Sequence, residues 1–195
     1  MEPRLSRPAE PDRLSPTERH ELVRFRHGER DAFGVLMRPH LGSLRALARR
    51  ASGDQHWAED LLQETLVRAF RGLADFRGEA ALRTWLFRIL MRLVAEPRKW
   101  RRHEPMSSLE GLDIPDTLDA SPARGLHERE LNDRLQESLE RLSPKQRSAF
   151  HLRAVEGMDY AAIATVMGNS APAARMLVLA ARRKVMERMG RYLLP

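Results

Sequence analysis

The chain has no cysteine among its 195 residues. Disulfide bonds are therefore excluded, and so are metal sites built from thiolates. No apolar run approaches the ~20 residues that a helix needs to cross a bilayer, and the N-terminus lacks the apolar segment of a signal peptide. We therefore expect a cytoplasmic protein. The seven histidines are scattered along the sequence, and we predict neither a metal site nor a cofactor.

The sequence also has few aromatic residues, no alternating stretch and no catalytic motif, which bears on the fold and on the kind of activity. Aromatic residues make up 6% of the chain, and no stretch alternates apolar and polar residues as strands do. Alanine, leucine and arginine are abundant, which favours helices, so the sequence predicts an all-α protein. The chain contains no glycine-rich phosphate loop and no nucleophile motif such as Gly-x-Ser-x-Gly. We therefore expect that the protein is not an enzyme.

Charge divides the chain into three parts. Residues 1–103 hold 21 basic and 14 acidic residues, residues 129–195 hold 12 and 7, and residues 104–128 hold one and six. The middle part also has three prolines and no helical stripe, so it predicts a flexible acidic linker between two helical domains, 17–103 and 129–195. Residues 1–16 carry four prolines and predict a disordered leader. Two basic domains indicate a polyanion partner, but charge alone does not separate DNA from RNA or from ordinary solubility.

The first domain is organised around an amphipathic helix that is predicted at 57–71. Its apolar residues recur at spacings of three and four and form one face. The opposite face is acidic and polar: Asp60, Gln63 and Glu64. A loop at 72–79 follows, and a second amphipathic helix is predicted at 81–95. We expect Trp85, which lies on the apolar stripe of that second helix, to be a core residue.

The second domain has the spacing of a helix-turn-helix. Ser143, Pro144 and Gln146 together form a capping-box start for one helix. Asp159 is placed to cap a short helix, and Ser170 is placed to cap a long last helix that extends to about Tyr192. A short turn with a glycine separates these two helices, as in helix-turn-helix proteins.

Several segments of the chain resemble bacterial sigma factors of the extracytoplasmic-function (ECF) group. Those in the first domain resemble sigma domain 2: Asp60-Leu61-Leu62-Gln63-Glu64, Phe76-Arg77-Gly78-Glu79 and Arg83-Thr84-Trp85-Leu86-Phe87-Arg88-Ile89. Those in the second domain resemble sigma domain 4: Leu142 to Arg147, Glu156 to Tyr160, Ile163-Ala164, Met167-Gly168 and Ser170. Together they cover about Asp31 to Arg188.

The resemblance implies a subunit that binds core RNA polymerase and directs promoter recognition and opening, without catalysis of its own. In that family, domain 2 grips the β′ clamp helices and reads the −10 element, and domain 4 sits on the β flap and reads the −35 element. The residues implied in polymerase binding are Asp60, Gln63 and Glu64. Those implied in binding −10 DNA are Phe76, Arg77, Arg83, Thr84, Arg88 and Arg92. Those implied in −35 or DNA-backbone contact are Lys145, Arg147, Ser170, Arg175, Arg182 and Arg183.

The sequence departs from the family pattern in two places. Leu90, Met91 and Arg92 stand where the family usually has an alanine, a basic residue and the asparagine that assists −10 recognition. In the last helix, the family's polar DNA-reading residues are replaced by Ala173, Arg175, Met176, Leu177 and Leu179. A helix that is apolar all round is usually buried on more than one side, which motivates the hypothesis that the last helix docks on a protein.

Two interpretations of the last helix remain open. In one, it docks on a protein, such as an anti-sigma factor; in the other, its basic residues hold the DNA backbone and give a weak −35 affinity. The alternative for the whole chain is a sigma-like adaptor that binds polymerase or a partner protein and does not direct initiation. The sequence does not specify the regulon, the inducing signal or the identity of an anti-sigma factor.

Overall fold

The computed structural model describes residues 14–96 and 134–193, with side chains described up to Gly190. The helices of the first segment are α1 (Pro16–Arg26), α2 (Asp31–Met37), α3 (Leu41–Ser52), α4 (Gln55–Gly72) and α5 (Leu82–Ala95). Those of the second segment are α6 (134–140), α7 (Pro144–Ala154), α8 (Tyr160–Met167) and α9 (Ala171–Leu193). The described residues contain no strand, and the all-α prediction is confirmed. The expected linker and residues 1–13 of the expected leader lie outside the described residues.

Helices α1 and α7 both begin with a capping box. Ser15 accepts a hydrogen bond from the backbone N–H of Glu18, whose carboxylate accepts one from the Ser15 N–H. Ser143 and Gln146 repeat this arrangement at the start of α7. Such boxes satisfy backbone N–H groups that a helix start otherwise leaves without partners. Because Ser15 caps α1, that helix begins at Pro16, which we had expected to belong to the disordered leader.

The core of the first segment is built from leucine and phenylalanine side chains on facing helices. Phe33, Leu44, Leu61 and Leu86 are fully buried. Phe33 also packs edge-on against Phe70, with ring centroids 5.1 Å apart. Replacing one of these leucines by alanine would cost about 2–5 kcal/mol, because a cavity would remain.

The two segments pack directly on each other. Helix α3 contacts α7, and α5 contacts α8. One buried cluster runs from Leu44 and Leu86 in the first segment to Leu152 and Ile163 in the second. A smaller cluster joins α6 to the C-terminal half of α9. The helix-turn-helix therefore lies against the face of the first segment that α3 and α5 present.

Helix α9 buries only one of its faces. The buried side chains recur at spacings of three and four: Ala174, Val178, Ala181, Val185 and Met189. On the other side, Met176 is 64% exposed, Leu179 41% and Met186 50%. This uncovered side leaves open both interpretations of the last helix, docking on a protein and weak binding to the DNA backbone. The small and branched residues on one stripe suffice to anchor it, and no other described helix covers the rest.

No single helix in the described part of the chain is long and apolar enough to cross a membrane. Helices α8 and α9 reach the required length and composition only when they are taken together across a bend of 100°.

Candidate nucleic-acid interface

A cavity of about 310 Å³ lies between the α4–α5 loop and the first turns of α5. Phe76 and Trp85 form its aromatic part, with ring centroids 5.1 Å apart and an angle of 41° between the planes. The polar lining comes from both segments: Asp75, Arg77, Glu79, Thr84, Arg88 and Thr165. Its size is at the lower end of the range typical of small-ligand sites.

The two aromatic rings that line the cavity differ in their burial. Phe76 is 5% exposed and belongs to the core, so it forms the floor of the cavity. Trp85 was expected in the core, but it is only partly buried, packs on the core and faces the cavity. A flat ring at the wall of a cavity can stack on a nucleobase of any sequence.

The loop that forms one wall of the cavity is held from both sides. Leu73 and Phe76 are buried and anchor it to the core. Gly78 has φ +72°, a backbone conformation that residues with a side chain rarely adopt. Arg26, at the end of α1, donates hydrogen bonds to the carbonyl oxygens of Ala74 (3.0 Å) and Phe76 (2.6 Å). The role of Arg26 has no local signal, because its partners lie 48 and 50 residues away.

The cationic residues near the cavity differ in their availability. Arg77, Arg88 and Arg92 are exposed. Arg83 is partly buried, and its Nη1 lies 3.3 Å from Oε2 of Glu156. Thr84 is 5% exposed and lines the cavity. Three guanidinium groups are therefore open to solvent on this face, and a fourth is paired with the second segment.

The predicted polymerase-binding side chains lie on the outer face of α4. Asp60 and Gln63 are exposed, and Glu64 is partly exposed. Glu64 accepts a hydrogen bond of 2.8 Å from Nε of Arg68, and the other nitrogens of that guanidinium donate to Glu96 at the end of α5. The hydrogen bond from Arg68 is the main reason that the pKa of Glu96 is below its ordinary value.

The helix-turn-helix is built as the sequence predicts. Asp159 accepts a hydrogen bond of 2.7 Å from the N–H of Ala162, and Ser170 accepts one of 3.3 Å from the N–H of Ala173. Gly168 ends α8 in the left-handed conformation, with φ +66°. Ser170 is thus placed as the cap of its own helix.

The basic residues that the resemblance assigns to −35 or backbone contact fall into two groups. Lys145, Arg175, Arg182 and Arg183 are exposed. Arg147 instead turns inward, and its Nη2 donates to the carbonyl oxygens of Glu140 (3.0 Å) and Leu142 (3.3 Å). Arg147 therefore holds the end of α6 against α7, and this structural role uses the side chain that we had assigned to DNA.

A buried carboxylate connects the two segments. The side chain of Glu156 is 5% exposed. It accepts hydrogen bonds from Ser43 (3.2 Å) and Arg83 (3.3 Å), and Nε2 of His151 lies 3.3 Å from its other oxygen. Burial opposes ionisation of Glu156, but His151, Ser43 and Arg83 together outweigh it and lower its pKa. In the described residues, no group of three or more His, Asp or Glu side chains is placed to hold a metal ion.

An aromatic cavity flanked by arginines, together with a helix-turn-helix, is typical of helical proteins that bind nucleic acid. Two family models match the chain: Sigma-70 region 2 over residues 36–104, and Sigma-70, region 4 over residues 132–185. Among curated proteins, the RNA polymerase sigma factor NccH of Alcaligenes xylosoxydans xylosoxydans is 30% identical over 165 residues, which are 83% of this chain and 89% of that protein. The chain therefore belongs to the sigma-70 family of RNA polymerase sigma factors, in its ECF group.

Other relatives and solved structures agree with this membership. The RNA polymerase sigma-H factor of Pseudomonas aeruginosa is 29% identical over 88% of this chain and 94% of that protein. ECF sigma factor SigE of Mycolicibacterium smegmatis is 31% identical over 80% of the chain, which spans 61% of SigE. The sigma factor RpoE of Bartonella quintana, solved with the anti-sigma factor NepR, has a TM-score of 0.58 and 26% identity, with 79% of this chain and 94% of that chain covered.

Proposed function

We propose that this protein is a sigma subunit, which binds core RNA polymerase and directs promoter recognition and opening without catalysis of its own. Its functional domains are 17–103 and 129–195, with the acidic segment 104–128 between them, and its place of action is the cytoplasm. The observation that carries the proposal is the cavity beside α5. It offers a stacking ring and flanking guanidinium groups, which are what a separated promoter strand needs.

The polymerase contact is the outer face of α4. Asp60 and Gln63 point to solvent there, and Glu64 is held in place by Arg68. Exposed carboxylates on one helix face accept charge-assisted hydrogen bonds from arginines of a partner. This supports the β′ clamp helices of core polymerase as the partner of Asp60, Gln63 and Glu64.

The −10 contact is the cavity and the exposed basic residues around it. A base turned out of the stack would lie against Trp85, within reach of Thr84. Arg77, Arg88 and Arg92 are placed outside to hold phosphates. Phosphate contacts position a strand, whereas contacts in a pocket read its bases. We therefore assign −10 recognition to the cavity and affinity to the arginines.

The −35 contact recognises sequence more weakly than the −10 contact. At the start of α9, the exposed residues are Pro172 and Ala173, which carry no hydrogen-bonding side chain, and then Arg175. Sequence in the major groove is read by side chains that donate or accept hydrogen bonds to base edges. Lys145, Arg182 and Arg183 supply charge to the backbone and carry no sequence information.

A second role for α9 is supported by its exposed apolar side chains. Met176, Leu179 and Met186 lie on the uncovered side of the helix, and such side chains favour contact with a protein. The relative RpoE was solved with an anti-sigma factor. We propose a partner of that kind, or the β flap, as the protein that covers this side. If such a partner binds this chain and no transcription is initiated, the chain acts as an adaptor.

Run-off transcription with purified core polymerase on a library of genomic fragments tests the proposal. Defined transcripts that depend on the added protein are expected, and the double variant D60A/Q63A should lose them together with binding to core. The variant E137Q, which changes an exposed glutamate of α6, is the control and should retain both. Binding to core without any transcript would favour the adaptor, and absence of binding would refute the proposed function.

A further inference from the structure

The partly buried arginines differ in the charge of their partners. In the described part of the chain they are Arg24, Arg45, Arg50, Arg68, Arg83 and Arg147. Four of them pair with carboxylates of the same chain. Arg50 and Arg147 instead bond only to neutral oxygen atoms of the described residues. Charged groups that leave water usually acquire a partner of opposite charge, so these two arginines are the exception.

Arg50 and Arg147 lie at one boundary, where the end of α3 meets α6 and the start of α7. Nη1 of Arg50 donates a hydrogen bond of 2.6 Å to Oε1 of Gln136 in α6. Nη2 of Arg147 donates to two carbonyl oxygens at the end of α6 and just after it. Nη1 of Arg147 lies 3.7 Å from the position that a Cβ atom would occupy at Gly53, in the turn that ends α3. The two guanidinium groups therefore come together from opposite sides of this boundary.

Their charges are close enough to affect each other. Burial lowers the pKa of Arg50, and the charge of Arg147 lowers it further. Nε of Arg147 is buried and has no hydrogen-bond partner. A guanidinium group stays protonated in proteins, so the pair carries two positive charges. No carboxylate of the described residues is paired with either of them.

We propose that Arg50 and Arg147 form a binding site for a small phosphate-bearing anion, which bridges the end of α3 and the start of α7. A guanidinium group presents its N–H donors in a planar fork that fits pairs of phosphate oxygens. A carboxylate brings one negative charge, whereas a phosphate group brings up to two, which balances both arginines.

The partial burial of the two arginines indicates that the ligand is small. The arginines that we assign to DNA beside the cavity and on α9 are exposed, as contact with an extended backbone requires. Arg50 and Arg147 are only partly exposed, between packed helices. A small anion can reach the open edge of such a boundary more readily than a DNA strand can follow it. The site goes beyond the proposed function, because neither residue lines the cavity or lies on α4.

Titration of the full chain with inorganic diphosphate, and in parallel with ADP, tests the site. The readout is the NMR signals of the arginine Nε–H groups, assigned with R50K and R147K. We expect the signals of Arg50 and Arg147 to shift with one common, saturable midpoint, and sodium chloride of equal ionic strength to cause no such shift. Equal midpoints for the two ligands would identify the phosphate groups alone as the feature recognised, and a lower midpoint for ADP would identify a nucleotide.

Variants of neighbouring arginines give the matched comparison. R50Q should raise the diphosphate midpoint roughly tenfold, because it removes a charge-assisted hydrogen bond. R50K retains the charge and loses the fork, so its midpoint should rise less. R49Q is the control and should bind as the parent protein does, since Arg49 pairs with Glu59.

Three results would overturn the site. The first is the absence of a saturable shift at Arg50 and Arg147 in the parent protein. The second is an equal loss of binding in R49Q and R50Q, because net charge alone would then explain it. The third is a short DNA duplex that shifts both signals while diphosphate shifts neither, which would place the pair on the DNA-binding surface. If R50Q does not fold, R50K and the titration of the parent protein decide.

Discussion

The cavity beside α5 and the exposed side of α9 are the two surfaces that we propose for DNA, and they differ in the chemistry of their side chains. The cavity combines an aromatic ring, a threonine and several guanidinium groups around a loop that hydrogen bonds hold in place. The exposed side of α9 offers methionine, leucine and alanine with arginines at intervals. Reading a base requires polar groups at fixed positions, whereas holding a backbone requires only charge. The difference assigns sequence recognition to the cavity and leaves the exposed side of α9 with contacts to the DNA backbone.

The largest effect is expected from removing the cations around the cavity. The double variant R77A/R88A should weaken binding to forked −10 DNA roughly tenfold at 0.1 M salt and reduce the salt slope by about 1.4, since a single-strand phosphate contact contributes about 0.7. The matched pair R182A/R183A in α9 should change binding to the same DNA less than about twofold. Fluorescence titration at several salt concentrations measures both. Equal losses in the two pairs would contradict the assignment.

A gain of function on α9 comes next. Ala173 is exposed near the start of that helix, and glutamine pairs with adenine in the major groove for about 1 kcal/mol or more. The variant A173Q should therefore acquire a sequence preference of roughly fivefold upstream of the start site. Selection from randomised upstream DNA, bound by the holoenzyme, detects it. A161Q, on an exposed position of α8, should select nothing new; a preference in the parent protein would show that α9 already reads bases.

The next prediction tests how the α4–α5 loop is held in place. R26A removes the two hydrogen bonds to the carbonyl oxygens of Ala74 and Phe76, and each contributes about 0.5–1 kcal/mol. We expect forked −10 DNA to bind roughly threefold more weakly, while binding to core polymerase stays the same. R19A, an exposed arginine of the same helix, is the control. A loss in R19A as large as that in R26A would indicate a general effect of charge on α1.

The smallest effect compares the two capping boxes. Either S15A or S143A should lower the free energy of unfolding by about 1 kcal/mol. Glu18 differs from Gln146 because it titrates. Burial opposes its ionisation, but the bonds with Ser15 and His40 bring its pKa below the ordinary value of 4.5. Its contribution is therefore complete above pH 4.5 and is lost as the pH falls through the lowered pKa.

We call the free energy of unfolding that a variant loses relative to the parent protein its deficit. Lowering the pH should therefore reduce the deficit of S15A more than that of S143A. Chemical denaturation of the parent protein and both variants at pH 7 and at pH 4 gives the four deficits, and E18Q serves as the control that cannot titrate. Deficits that respond equally to pH would show that the carboxylate of Glu18 contributes nothing to its box.

Local features of the structure follow from the sequence, and features that join distant residues do not. The start of α7 and the caps of α8 and α9 were predictable, because Ser143, Asp159 and Ser170 act on backbone groups three residues away. The fold class follows equally from residue spacing. In contrast, Arg147 was assigned to DNA although it holds α6, because nothing in its neighbourhood shows that the carbonyl oxygens of Glu140 and Leu142 need a donor.

The candidate site was predicted in its composition and not in its geometry. The sequence identified the loop and the arginines of α5. It did not show that Phe76 is the floor and Trp85 the wall, since both occur at apolar positions and only packing separates them. Glu156 carried no signal at all, because its partners come from two helices in the other segment. That α9 buries only one face within this chain could not be predicted, because apolar composition alone does not reveal how many neighbours a helix has.

The guanidinium group of Arg68 bonds Glu64 on α4 and Glu96 at the end of α5 at the same time. The helix proposed to meet polymerase and the helix proposed to meet DNA are thereby joined at one end, in addition to their shared core. The angle between α4 and α5 is therefore fixed. Once polymerase binds α4, the orientation of α5 and of the cavity relative to the enzyme is set as well. The subunit would then determine where on the DNA the bound enzyme is positioned.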